Sequence, residues 1–267
     1  GVVVQNKSGR SFYSARMFVD TTGDGDVLHR AGVPTYKRGN YHTYIGAAVS
    51  LDSCRTALEK NNIQHAIFSV SGGHANLYGG GHPENTSLYD GTDGEEVSRY
   101  LISNQLELLE KLKRQPRQER DIVTLPGMPQ FRTTRCIAGD VTLRESDAYC
   151  HFDDSIGAIC DFDRRDYLFE IPFGTLVRKG VDNLITAGRS ASAEGYAWDV
   201  IRVIPPAIIT GQAAGVACAH ALDENRPVWE INIHSLQEEL QLENVQLHFD
   251  DADIPDVSYD IHENNDD

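Results

Sequence analysis

NLITAGRSASAEGYAWDVIRVIPPAIITGQAAGVACAHAL, from Asn183 to Leu222, places an apolar strand, a polar loop and a small-residue helix within one short stretch. Leu184-Ile185-Thr186-Ala187 is apolar and ends at Gly188, as expected of a buried strand that stops where the backbone turns sharply or a ligand comes close. Pro205 and Pro206 precede a run from Ala207 to Ala219, and proline is tolerated in the first turn of a helix, so a helix is predicted to start near Ala207. Gly211 and Gly215 lie one turn apart, and with Ala214 and Cys218 they leave one face with almost no side-chain bulk, open to another backbone or a flat ligand. The helix N-terminus would favour an anionic group. Ordinary packing of a helix on a sheet through small residues accounts for the same composition.

Working back to the start of the chain, Gly1 to Gln5 and Ser11 to Ala15 are β-rich runs around the turn residues Asn6-Lys7-Ser8-Gly9, which predicts a hairpin. Met17-Phe18-Val19-Asp20 is a further short strand. It runs into Thr21-Thr22-Gly23-Asp24-Gly25-Asp26 and a short helix from Val27 to Ala31. This acidic, glycine-rich turn is not an EF-hand, because the later ligand positions are missing.

Three ordered motifs, Gly188-Arg189-Ser190, Arg202-Val203-Ile204-Pro205 and Gly211-Gln212-Ala213-Ala214-Gly215, resemble the carboxy-terminal flavin-binding segment of FAD-dependent oxidoreductases, within the wider glutathione-reductase-like flavoproteins. The hairpin, strand and TTGDGD turn resemble a second signature of that family, with Thr21 in place of the usual alanine. Arg132-Thr133-Thr134-Arg135, AGDVTLRESD after Ile137 and Ile171-Pro172-Phe173-Gly174-Thr175-Leu176-Val177 resemble further family segments. Residues 1–31 and 131–247 carry the resemblance, and the middle does not.

The resemblance implies an α/β fold: part of a Rossmann-like FAD-binding domain with β-hairpin additions (1–33 and 131–249), an interleaved α+β substrate or cap region (34–130), and an acidic, disordered tail (250–267). It implies non-covalent FAD as cofactor and electron or hydride exchange with a small organic substrate. Thr22, Gly23 and Asp24 would pack near the adenosine half of FAD. Gly188, Arg189, Arg202, Gly211, Gln212, Ala213, Ala214 and Gly215 would face the flavin, with the helix N-terminus favouring its reduced, anionic form. Where many members carry a histidine after the glycine-arginine motif, this chain has Gly195. Arg135 and Tyr196 are therefore the candidate catalytic residues, Arg135 on the substrate side and Tyr196 as proton donor. No strand followed by G-x-G-x-x-G occurs, so the dinucleotide-binding turn is expected from an upstream segment or a separate chain. A remnant or interaction module that keeps the fold without FAD is the alternative.

Composition excludes several other classes. A net charge of −16, part of it gathered from Asp250 onward, argues against nucleic acid and anionic membrane surfaces as partners. The absence of a long apolar run or an opening signal segment leads to a cytoplasmic expectation. Cys54, Cys136, Cys150, Cys160 and Cys218 contain no C-x-x-C pair and are read as reduced thiols, with Cys218 in the core.

In the middle, strand 45–51, a helix from Ser53 to Asn61 and a long helix from Glu95 to Gln115 are predicted. The long helix has capping-box spacing at Thr92 to Glu95 and an apolar stripe of Val97, Leu101, Leu108 and Leu112, with Ile102, Leu106 and Leu109 beside it. His74 and His82 flank a glycine-rich loop and are read as surface residues, and no metal is expected. Asp153, Asp154, Asp161 and Asp163 are read as solvated turn residues. Trp229 to Ile233 is predicted as a strand, followed by a capped helix from Ser235 through Leu240.

Overall fold

The computed structural model describes residues 1–75, 79–163 and 167–255, and these divide into two units, one from 1–37 and the described residues after 134, the other from 38–134. The first unit opens with the predicted hairpin, β1 (Val2–Asn6) against β2 (Gly9–Tyr13), where Gly9 takes a φ of +109° that a side chain would oppose. β3 (Phe18–Asp20) leads through the acidic turn into α1 (Asp26–Arg30), and β4 (Thr35–Lys37) follows.

The second unit is an antiparallel sheet in the order β6-β5-β7, built from β5 (Thr43–Ser50), β6 (Ile67–Gly73) and β7 (Arg120–Thr124), with α2 (Leu51–Glu59) and α3 (Gly94–Lys113). Ser50 caps α2 by a reciprocal bond with Ser53, so the helix begins at Leu51, two residues before the expected start. The cap of α3 is Asp93, which accepts the Glu95 and Glu96 N–H groups at 2.7 and 3.0 Å, one residue later than the Thr92 spacing implies. Tyr100, Asn104 and Leu108 form the buried centre of α3, whereas Ile102, Leu106 and Leu109 are exposed. Those three lie roughly opposite the buried stripe at 3.6 residues per turn, so apolar character alone overstates the buried face.

The first unit continues with β8 (Arg135–Ile137), antiparallel to β4, then the hairpin of β9 (Ser155–Cys160) and β10 (Leu168–Pro172). β11 (Leu184–Thr186) pairs in parallel with β3, residue for residue from Leu184↔Phe18 to Thr186↔Asp20. Among the described residues the parallel sheet is limited to this pair, so the part of a Rossmann-like domain expected here is represented by two parallel strands. α4 (Gly195–Ile201), α5 (Ile204–Asp223) and α6 (Ile233–Leu242) complete the unit. Its core joins Ile156, Phe169 and Ile171 of the hairpin to Ile185 and to Ala213, Ala214, Ala217 and Cys218 of α5.

Three expectations change. α5 starts at Ile204, so both prolines lie inside its first turn. Residues 228–230 form a 3-10 turn instead of a strand, and Asn232 caps α6 by accepting the His234 and Ser235 N–H groups. The acidic tail is ordered through Asp251–Asp253, a 3-10 turn capped by Asp250, while residues 256–267 lie outside the described residues.

Candidate functional site

Because β3 and β11 run parallel and in register, their carboxyl ends emerge side by side, and such strand ends are where open α/β sheets present ligand crevices. Each strand turns at once. After β3 the chain passes through Gly23 and Gly25, and after β11 through Gly188; their φ values are +87°, +60° and +74°, which glycine adopts without strain.

Asp20, only 1 % exposed, shapes the first turn. Its Oδ1 accepts the Thr22 N–H at 3.0 Å and the Thr22 hydroxyl at 2.7 Å, while Oδ2 accepts the Leu28 N–H at 2.8 Å. Thr22 Oγ1 in turn accepts the Asp26 N–H at 2.8 Å. The second turn hangs from α5, where Thr210 Oγ1 accepts the Gly188 N–H at 2.9 Å and donates to Pro206 O at 2.7 Å. Trp198 Nε1 donates to Arg189 O at 2.8 Å. Asp20, Thr210 and Trp198 are thus parts of the site's frame that residue patterns did not reveal.

The two turns are tied by charge. Arg189 donates from Nε and Nη2 to Asp24 Oδ1 at 3.2 and 3.0 Å, and its guanidinium covers Gly23 so closely that a Cβ there would lie 2.7 Å from Cζ. Arg135, buried on β8, donates from Nε to Asp24 O at 2.7 Å and pairs through Nη2 with Asp26. The structure therefore brings Thr22, Gly23, Asp24, Gly188, Arg189 and Arg135 together. Arg135, expected on the substrate side, grips the acidic turn from within unit 1.

The remaining predicted residues divide differently. Arg202 forms a buried pair with Asp199 at 2.9 Å, so its guanidinium closes α4. Tyr196 donates its hydroxyl to Asp161, and Asp161 is 4 % exposed, which corrects the reading of that aspartate as a solvated turn residue. On α5, Ala213 and Ala214 are fully buried core residues, whereas a Cβ at Gly211 or Gly215 would meet nothing within 4 Å. Gln212 is half-buried between them. Pro205 and Pro206 lack N–H groups and Ala207 gives its own to Val203 O at 3.1 Å, so the anion-binding array expected at this helix end is short of donors. Burial pushes the Cys218 thiol up to about 11, as suits an inert core residue.

The arrangement fits a flat, anionic dinucleotide in three respects. Its backbone at Gly188 is open, with Ala207 Cβ at 3.8 Å the nearest neighbour of a virtual side chain. The face of α5 at Gly211 and Gly215 is bare. Arg189, about one-third exposed, offers a planar guanidinium at the rim.

Among the described residues no single helix is long and apolar enough to cross a membrane, though α4 and α5, bent by 80°, match one together by length and composition. Comparison with curated proteins and with solved structures yields no match. The model of the family described as FAD dependent oxidoreductase matches residues 1–76 and 56–240, nearly the whole described chain. With the paired strand ends and their glycine turns, this match makes the chain a member of the FAD-dependent oxidoreductase family.

Proposed function

We propose that the crevice at the ends of β3 and β11 holds non-covalently bound FAD in the manner of glutathione-reductase-like flavoproteins, for oxidation or reduction of a small organic substrate. The observation that carries this reading is the parallel, in-register pairing of two strands that both end in positive-φ glycines, next to a bare helix face. FAD, when bound, supplies the electron-accepting ring.

The chain's own residues have separable tasks. Gly188 and Gly23 let backbone come close to the ligand, and the Asp24 carboxylate holds Arg189 in one rotamer, so that little side-chain freedom is lost when its outer N–H groups meet ligand oxygen. Arg135 supports this pair by fixing the Asp24 carbonyl. Tyr196 remains the proposed proton donor; its hydroxyl donates to Asp161 in this structure, so it would have to turn from Asp161 to give that proton to substrate. We assign substrate contact to the region 34–130, where β5, β6 and α3 line a cleft of about 780 Å³ bordered by Arg55, Lys111, Arg114 and Arg120. The pyrophosphate-binding turn would come from an upstream segment or a second chain, and the protein would work in the cytoplasm.

The test is flavin content. Protein produced with any upstream part of its reading frame should purify with, or take up, one FAD per chain, and Gly211→Val, on the bare face of α5, should lower uptake while circular dichroism is retained. A folded protein with no flavin absorbance and no uptake would instead establish the fold as a binding or interaction module.

A further inference from the structure

Glu170 on β10 is fully buried, yet its carboxylate faces two imidazoles: Oε1 lies 2.6 Å from His151 Nδ1 and 3.0 Å from His248 Nδ1. We propose that His151, Glu170 and His248 form a binding site for a divalent first-row transition ion, with zinc the first choice. This departs from the sequence reading, which expected no metal, and it is independent of the proposed cofactor. Spacings of 19 and 78 residues within the trio gave no motif.

Four observations carry it. First, the three ligand atoms all lie within 4.8 Å of one another, the one such group among the described residues. Second, an outer carboxylate is in place: Asp251 Oδ1 lies 2.9 Å from His151 Nε2, where it can hold the proton on that nitrogen. With an ion bound, the Nδ1 lone pair would then be free to meet it beside Glu170. A carboxylate that orients the far nitrogen of an imidazole is the usual outer partner of a metal-bound histidine.

Third, a buried carboxylate needs compensation. Glu170 Oε2 already accepts the Phe152 N–H at 2.8 Å, which holds the group in place and leaves Oε1 to meet a cation, either a metal ion or a protonated imidazole. Fourth, the frame is prepared on all sides. His248 sits between Leu247 and Phe249, both buried, on a segment fixed by Ala158 N–H to Gln246 O at 2.8 Å and Ser155 hydroxyl to Leu247 O at 2.6 Å. His151 stacks on Phe249 at 4.4 Å.

Zinc bound by nitrogen and carboxylate oxygen at about 2.0–2.2 Å needs these ligand atoms roughly 3.3–3.5 Å apart. Both histidines are nearly half exposed, at 44 % and 45 %, so their rings have room to move from Glu170 Oε1 by the roughly 0.3–0.9 Å required. Two imidazoles and one carboxylate favour zinc, iron(II), cobalt or nickel over calcium or magnesium, which take all-oxygen sets. Three protein ligands would leave further positions for water on the exposed side. An ion here would join the β9–β10 hairpin to the chain segment after α6.

The test uses the whole chain without a histidine tag, stripped with a chelator and titrated with Co²⁺, whose visible absorption reports four- or five-coordination, then with Zn²⁺ in competition. We expect one equivalent of Co²⁺ to give saturable visible bands that Zn²⁺ displaces, and Zn²⁺ to raise Tm. His248→Ala and Glu170→Gln should lose the bands and the rise in Tm, Asp251→Asn should weaken binding by about tenfold, and His234→Ala should match the wild type. Saturable bands that persist unchanged in His248→Ala would overturn the proposal, as would stripped wild-type protein that shows none, a result that needs no variant to fold.

Discussion

The turns at the ends of β3 and β11 and the helix α5 border the proposed FAD site by opposite means. In the turns, charged side chains hold glycine-rich backbone in shape: Asp20 collects two N–H groups and a hydroxyl, while Arg189, in the turn after β11, and Arg135, on β8, both reach Asp24. In α5 the useful feature is missing bulk, with Ala213 and Ala214 packed inward and Gly211 and Gly215 bare outward. Substitutions in the turns should therefore disturb the fold and the site together, whereas the two faces of α5 should separate these effects.

The largest effect is expected at Asp20. Asp20→Ala leaves the buried Leu28 N–H and the Thr22 donors without their acceptor. Hydrogen bonds to charged groups contribute about 1.5–3 kcal/mol each, and neighbouring bonds are not additive, so a loss of about 3 kcal/mol or more in urea unfolding is expected. A loss below about 1 kcal/mol would mean that water replaces the carboxylate and that the turn holds its own shape.

Next comes Ala214→Leu, on the inner face of α5. Ala214 is fully exposed to neither solvent nor cavity but sealed in the core with Ala217 and Cys218, so added methyl groups should cost about 1–3 kcal/mol by overpacking. Flavin loss in this variant would follow from the fold and say nothing about direct contact.

Arg189→Leu should cost less, about 1 kcal/mol or under, because the guanidinium and Asp24 are both partly exposed and such pairs contribute little. Its effect on FAD should be the greater one, with weaker binding or a more negative flavin reduction potential, read by titration and by dye equilibration. Arg135→Leu should behave like a turn substitution, lowering Tm, since its guanidinium is buried and bound to Asp24 O. The reverse ranking would place Arg135 at the ligand and Arg189 in the scaffold.

How far the sequence revealed this division depends on the range of each interaction. The initial hairpin, β3, β11, α3 and α5 were legible because turn chemistry and periodicity are local. The resemblance places Arg202 at the flavin, but the residue pairs with Asp199, only three residues away. The roles of Asp20, Thr210 and Trp198 were not legible, although Asp20 ends a recognised strand, because its partners depend on how the following turn folds. Arg135 and Asp24 are separated by 111 residues, and no periodicity connects them. The His151, Glu170 and His248 cluster was hidden for the same reason. The misread strand at Trp229 shows the opposite failure: its apolar residues fit an extended run, but Pro227 before them and the Asn232 cap after them leave room only for a single 3-10 turn.

The smallest effect on stability, and the sharpest test of the comparison, is expected at Gly211. A valine there has open space around its Cβ, and replacing glycine by valine inside a helix gains a few tenths of a kcal/mol in propensity, so unfolding should change by under about 0.5 kcal/mol. Ala219→Leu, two turns further along an exposed part of the same helix, should be equally mild. The two should part in flavin content: if the bare face near Gly188 receives the ring or the strand that supports it, Gly211→Val blocks that approach and lowers FAD retention severalfold, while Ala219→Leu leaves it intact. Equal retention in both variants would show that the bare face is ordinary helix surface, and the crevice would then have to bind its ligand through the two turns alone.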